Sequence, residues 1–176
     1  GGQPSFVPEK PYKIICDGHE ISLAREWRYR QGSPMPKAPE MMFFCYKPVC
    51  LYNAMIHPLK NLGFRGVLWY QGESNVDRRH EYAELLTRMI GCWRETFDDS
   101  SLPFYIVELA DFLHKDDVRG RQSWAEMRLQ QAKAVEMNTN TRLIPNSDLG
   151  EWNDIHPLDK KTLGKRAAEA TLKDMK

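Results

Sequence analysis

No apolar run in this chain approaches the ~20 residues needed to cross a bilayer, and no signal peptide precedes the first proline-rich segment. Charge of one sign is also lacking: 25 Lys and Arg against 24 Asp and Glu leave a net +1. That balance removes any bulk electrostatic case for nucleic acid or an anionic membrane as partner. Clustered cations such as Arg78-Arg79 and Lys160-Lys161 then read as solvated helix faces. Phosphate-cradling loops are absent, with neither G-x-G-x-x-G nor G-x-x-x-x-G-K-[ST], which argues against nucleotide chemistry. The four cysteines, Cys16, Cys45, Cys50 and Cys92, form no C-x-x-C pair, so a zinc site is not indicated. Cys45 and Cys50 are close enough in sequence for a local disulfide in an exported protein, but buried free thiols fit equally. The chain opens on Gly1-Gly2-Gln3 without Met, so the missing signal says little about destination.

What is present is ordinary globular material. Across 176 residues, 41% are hydrophobic and 28% charged, enough for one domain with a continuous core. Aromatic residues reach 11%, somewhat rich and suited to sugar binding, although most such rings belong in a core.

The chain changes character near residue 50. Seven of the eleven prolines fall at or before Pro48. Proline blocks helix interiors and central ladders, so residues 1–50 read as edge strands and loops, with β-like runs at Tyr12–Cys16 and Met41–Tyr46. Residues 51–176 alternate between strand and helix. The pattern predicts a helix over Leu51–Leu62, a strand over Gly66–Tyr70 and a long helix over Arg78–Phe97. In that helix Tyr82, Leu85, Leu86, Met89, Ile90 and Trp93 share one face. A buried strand follows at Phe104–Leu109. Next come a helix over Gln122–Met137, with Trp124, Met127, Leu129, Ala132 and Val135 as its apolar surface, a short strand at Thr141–Ile144, and a last helix over Leu158–Lys173. Such alternation predicts an α/β fold built of βαβ units, a parallel sheet flanked by helices, with a small β-rich N-terminal segment.

Reactive side chains gather where strands end, which is where open α/β sheets hold their ligands. Gln71-Gly-Glu73-Ser74-Asn75 directly follows a strand, and Asp148-Leu-Gly-Glu151-Trp-Asn153-Asp154-Ile-His156-Pro lies between the last strand and the last helix. His156 is a candidate general base, and a nearby carboxylate could hold its tautomer. Gln71 is a neutral donor suited to a developing oxyanion, a role worth about 3–4 kcal/mol where it has been measured. Either residue could instead serve only its loop. Ser74 begins a pattern like the G-x-S-x-G elbow, but Val76 stands where the glycine belongs, so Ser74 is expected to cap the helix starting near Asp77. A third group, Tyr52-Asn53-Ala-Met-Ile-His57, is expected to orient locally, and His19, His80 and His114 receive no role.

Taken together, these blocks resemble the sialate O-acetylesterase family of SGNH-type hydrolases. The matching stretches are Leu51–Leu59, Gly66–Asn75, Trp93-Arg94, Leu102–Phe104, Arg128-x-x-Gln131 and Asp148–Lys160, with Leu23–Trp27 and Lys47-Pro48 matching less specifically. The resemblance implies a flavodoxin-like order and serine-dependent removal of acetyl groups from sugar hydroxyls, with no metal or organic cofactor and an acetylated sugar as partner. By position it makes His156 the base, Asp154 its orienting acid, Gln71 the oxyanion donor and Glu73 a brace. SGNH enzymes commonly place the acid three residues before the histidine, where this chain has Asn153, so Glu151 and Asp148 stay open beside Asp154. A secreted, periplasmic or lysosomal setting is implied as well.

The family's nucleophilic serine sits in a Gly-Gln-Ser-Asn-like block on a first strand, and no such block occurs in these residues. The chain therefore looks like the carboxyl-terminal half of a catalytic domain lacking its first strand. Without that strand, ladder groups and apolar surface should stand open beside the strand ending at Tyr70. The expected partner is the missing N-terminal half, supplied as a second chain, or else a second copy of this chain. Alternatives are an acetylesterase for xylan or another glycan, and a non-catalytic carbohydrate-binding fragment.

Overall fold

In the computed structural model the described residues are 10–24, 26–30, 32–33, 43 and 47–174. They divide into two units, Gly1–Lys47 and Pro48–Lys176.

The first unit contains an antiparallel hairpin of β1 (Lys13–Cys16) and β2 (His19–Ser22), in which Cys16 faces His19. Its turn is Asp17-Gly18, with φ of 48° and 78°. An Asp-Gly pair at positive φ matches the right-handed twist of the flanking strands, and this signal could have located β2, which periodicity alone missed. Lys13 and Glu20 pair across the ladder at 2.7 Å, but both are exposed, so the pair adds at most about 1 kcal/mol. The expected β-like run at Met41–Tyr46 and Cys45 lie outside the described residues; Cys16, Cys50 and Cys92 are free thiols.

The second unit is built on a parallel sheet of three strands in the order β3 (Val67–Trp69), β4 (Phe104–Val107), β5 (Thr141–Ile144). All four β4 residues are buried, as a strand covered on both faces requires. On one face, Val67, Trp69, Phe104, Ile106 and Leu143 pack with helices α1 (Tyr82–Thr96) and α2 (Val118–Glu136). On the other, Tyr105, Val107 and Ile144 pack on Leu163 and Ala170 of α3 (Lys160–Asp174), together with Tyr70 and Leu149. Phe104, Ile106, Val107, Ile90 and Met127 are each fully buried, and such a side chain contributes about 1.5–3 kcal/mol by leaving water.

Several boundaries differ from the sequence expectations. The helix expected over Leu51–Leu62 is a π turn at Tyr52–Ile56 followed by a 3-10 turn at His57–Leu59. Pro58 has no N–H and cannot continue an α ladder. The helix expected from Arg78 begins at Tyr82, after a 3-10 segment over Glu73–Glu81 kinked at Arg78. Leu85 and Leu129, expected on buried faces, are 44% and 68% exposed. In α2 the inward residues are Trp124, Met127, Gln131 and Ala134, so a polar side chain takes a core position. Helix α2 also starts earlier than expected, because Asp117 accepts a hydrogen bond from the Gly120 N–H and caps it.

Within this unit β3 hydrogen-bonds only to β4 among the described strands, leaving its outer edge unpaired. Leu68, on the α3 side of β3, is 55% exposed, as are Met55 at 61% and Leu62 at 54%.

Candidate active site at the carboxyl end of the sheet

Strands running in parallel deliver their following loops to one end, and the loops after β3, β4 and β5 are cross-tied there. Gln71 leaves β3 under close control. Its carbonyl accepts from the Tyr82 hydroxyl at 2.8 Å and from Gln131 Nε2 at 3.3 Å. Its own amide donates to Asn75 Oδ1 at 2.8 Å. A primary amide carries two hydrogens, so one Gln71 N–H remains for another acceptor. Gly72 follows at φ 154°, and a Cβ there would come within 2.9 Å of Met127 Cε. The Met127 methyl can swing aside, so it is the positive φ, rarely adopted by L side chains, that favours glycine here.

Gln131 ties this loop to the next one. Fully buried, it accepts from the Leu109 N–H at 2.9 Å and donates to Val107 O at 3.1 Å as well as to Gln71 O. Composition alone gives no hint of this role, and Gln131 enters the sequence reading only through the Arg-x-x-Gln resemblance.

The histidine loop is anchored from β4. The Glu108 carboxylate accepts from the backbone N–H groups of Asn146 and Ser147, each at 3.1 Å. The Ser147 carbonyl accepts from Asp111 N–H at 3.1 Å, and Trp152 O accepts from Leu113 N–H at 2.9 Å. Glu151 and Asp154 then form an antiparallel bridge around a tight turn. Asp154 Oδ1 accepts the His156 backbone N–H at 2.8 Å, a local Asx turn of the sort that fixes loop direction.

Among the three carboxylates left open for His156, Asp148 is committed elsewhere. Arg166 holds it in a bidentate pair at 2.6 and 2.7 Å, and those hydrogen bonds keep its carboxyl below the usual carboxylate range. Asp154 lies 3.8 Å from His156 Nδ1, beyond hydrogen-bonding distance. The His156 side chain is 85% exposed. Helix initiation just beyond is set by Asp159, which accepts from the Thr162 N–H at 2.9 Å.

Tyr70 joins the two regions. Its hydroxyl oxygen accepts from Asn146 Nδ2 at 3.1 Å, and Lys160 Nζ sits 5.2 Å from its ring centre. The residue at the end of β3 thereby touches both shoulders of the histidine loop. Burial pushes the Tyr70 phenol up; the Asn146 bond opposes this, and the charge of Glu73 adds to it. Glu73 acts the same way on Tyr82, whose phenol is raised chiefly by burial.

Ser74 does not cap the following helices. It lies exposed inside the 3-10 segment, whose cap position is Gly72, and neither that segment nor α1 carries a side-chain cap bond. His57 sits 6.0 Å from the Tyr52 ring, a local contact. Trp93 and Arg94 belong to the fold: Trp93 packs edge-on against Trp69, and Arg94 donates to the carbonyls of Leu102 and Thr139. The residues that sequence reasoning missed are Glu108, Asn146 and Asp111. Each is a polar residue one to four positions past the end of a sheet strand, and that position was the available signal.

The family model "carbohydrate esterase, sialic acid-specific acetylesterase" matches residues 38–173. The sialate O-acetylesterase of Mus musculus is 35% identical over 134 residues, covering 66% of this chain and 24% of that protein. The Homo sapiens protein of the same name is 35% identical over 131 residues, covering 66% and 25%. A crystal structure of a carbohydrate acetylesterase from Xanthomonas citri superposes with a TM-score of 0.63 at 39% identity, covering 68% of this chain and 28% of that one. The chain thus spans about a quarter of the length of the curated relatives it matches. It belongs to the carbohydrate esterase family of sialic acid-specific acetylesterases.

Proposed function

We propose that this chain carries the histidine and oxyanion side of a carbohydrate O-acetylesterase site, with O-acetylated sialic acids as the leading substrate class. The observation that carries the reading is the cross-tied carboxyl end of one parallel sheet, where the Gln71–Glu73 loop and the Asp154–His156 loop both emerge.

The chemistry is a two-step acyl transfer. A serine oxygen attacks the acetyl carbonyl carbon as His156 takes the serine proton. The spare Gln71 N–H donates to the oxyanion of the tetrahedral intermediate. Collapse breaks the bond to the sugar oxygen, which leaves as the alcohol with the proton from His156. Water then attacks the acetyl-serine by the reverse proton path, releasing acetate and restoring the serine. Asp154 is the orienting carboxylate; closing its 3.8 Å gap to Nδ1 requires only a small loop adjustment. Glu73 braces the site from the β3 side.

The serine comes from a complementing segment whose first strand pairs on the open edge of β3 and covers Leu68. An unpaired edge beside exposed apolar side chains is what such a strand would need. A location outside the cytoplasm, whether secreted, periplasmic or lysosomal, fits a substrate carried on glycans.

The long Asp154–His156 distance and the exposure of His156 favour a second reading, a carbohydrate-binding fragment without catalysis. Aryl acetate hydrolysis separates the two. Activity on mixing the chain with a serine-bearing upstream segment, lost in His156→Ala, supports the esterase. A mixed complex that binds sugar but releases no acetate supports the fragment. Activity of the isolated chain that disappears in Ser74→Ala would overturn the assignment of the nucleophile to another segment.

A further inference from the structure

Hydrogen accounting at the end of β3 leaves one group unspent. The Asn146 side chain is fully buried, and its orientation is fixed by the Glu108 backbone carbonyl 3.0 Å away. A carbonyl only accepts, so the atom facing it is the NH₂ of the amide. The same Nδ2 gives its second hydrogen to Tyr70 Oη at 3.1 Å. Tyr70 is therefore the acceptor in that bond, and its own hydroxyl hydrogen points elsewhere. No acceptor for it occurs among the described residues. The other end of the same amide, Asn146 Oδ1, is buried with no hydrogen-bond partner, so an unused acceptor adjoins the unused donor.

The donor is held still. Asn146 is pinned at its backbone N–H by the Glu108 carboxylate, and the Tyr70 ring is half-buried under Lys160. Its raised pKa, caused first by burial, keeps the phenol protonated at neutral pH. Tyr70 also packs with the α3 layer, whereas Gln71 is bonded to Tyr82 and Gln131 on the α1 and α2 side. The two spare donors thus flank the sheet's end from opposite layers. A ligand placing its acetyl oxygen at Gln71 offers Tyr70 a different oxygen.

We propose that Tyr70, held in place by the buried Asn146, forms a sugar subsite, in which the Tyr70 hydroxyl donates to a hydroxyl or ring oxygen of the saccharide carrying the acetyl ester. The identity of the ligand rests on the esterase reading; the unspent hydrogen does not.

Tyrosine labelled with ¹³C at Cζ in the full chain tests this. Seven tyrosine signals are expected, and Tyr70→Phe identifies the relevant one. The probes are the methyl glycoside of an O-acetylated sialic acid, its deacetylated parent, and sodium acetate. The expected result is a saturable shift of the Tyr70 signal with both sugars and none with acetate. Tyr70→Phe should weaken sugar binding about fivefold to tenfold, the loss of one hydrogen bond. A Tyr70 signal that stays put while other resonances saturate overturns the subsite, and so does the absence of any sugar binding. The wild-type titration decides the matter even where the variant is less stable. Acetate release by a serine-complemented sample is read separately. Hydrolysis with an unmoved Tyr70 sinks the subsite and spares the esterase, whereas movement without hydrolysis supports the subsite and counts against catalysis.

Discussion

Gly150 lies so close to Asp111 that a Cβ at residue 150 would overlap both the backbone carbonyl oxygen and the backbone nitrogen of Asp111. Both obstacles are main chain, so no side-chain rotation relieves them. The contact locks the histidine loop onto the segment after β4, beside the Asp111–Ser147 hydrogen bond.

Gly150→Ala should therefore cost about 2–4 kcal/mol, since a shape change against fixed neighbours forces backbone shifts. For a chain of this size, that lowers the melting temperature by roughly 5–15 °C. The control is Gly164 in α3, where a Cβ would meet nothing within 4 Å. Gly164→Ala should raise stability by about 0.5–1 kcal/mol through helix propensity. Thermal unfolding by circular dichroism reads both, and equal effects at the two sites would contradict the account of Gly150.

Gln131→Leu keeps a similar volume but removes the side-chain partner of the Leu109 N–H and weakens the hold on Val107 O and Gln71 O. Stranding a buried donor costs about 1–3 kcal/mol, so a loss near the top of that range is expected by urea denaturation. A near-neutral outcome would mean the three groups find water.

At alkaline pH, Tyr70 and Tyr82 should ionise after exposed tyrosines, because burial raises both phenols. A group whose folded pKa lies above its unfolded value adds stability that is full below about pH 10 and fades as pH climbs through the folded value. Absorbance at the phenolate band should show a late-ionising fraction that shrinks in Tyr82→Phe. A single titration at the ordinary tyrosine value would refute the buried environments.

In acid, the sign reverses for Asp148. Its carboxyl is held low by Arg166, so the pair contributes above the ordinary carboxylate range and is lost as pH falls through the folded value. Carboxyl ¹³C titration should place Asp148 below the ordinary aspartate range, and Arg166→Ala should raise it; an unchanged titration in the variant would refute the pairing.

Much of this arrangement was readable in the chain itself. Thr141–Ile144 is a strand with the boundaries expected, and the alternation after residue 50 is a parallel sheet between helices. Periodicity failed where a local constraint outranked it. The apolar face from Tyr82 onward was legible, but the chain from Glu73 to Glu81 is a tight 3-10 path because Gly72 and Arg78 depart from helical geometry. Gln131 was hidden because a polar residue at an inward position looks like an interruption until the strand ends it serves are known. Glu108 and Asn146 were illegible for a related reason: they lie 38 residues apart in sequence, and only the sheet brings them together.

The oxyanion role proposed for Gln71 is tested by acetate release from an O-acetylated sialic acid by the serine-complemented chain carrying Gln71→Ala. A donor used only as charge develops lowers kcat about 10²- to 10³-fold and leaves KM nearly unchanged. That loss of kcat is the expected result. A rise in KM with kcat intact, or no change in either, would contradict it.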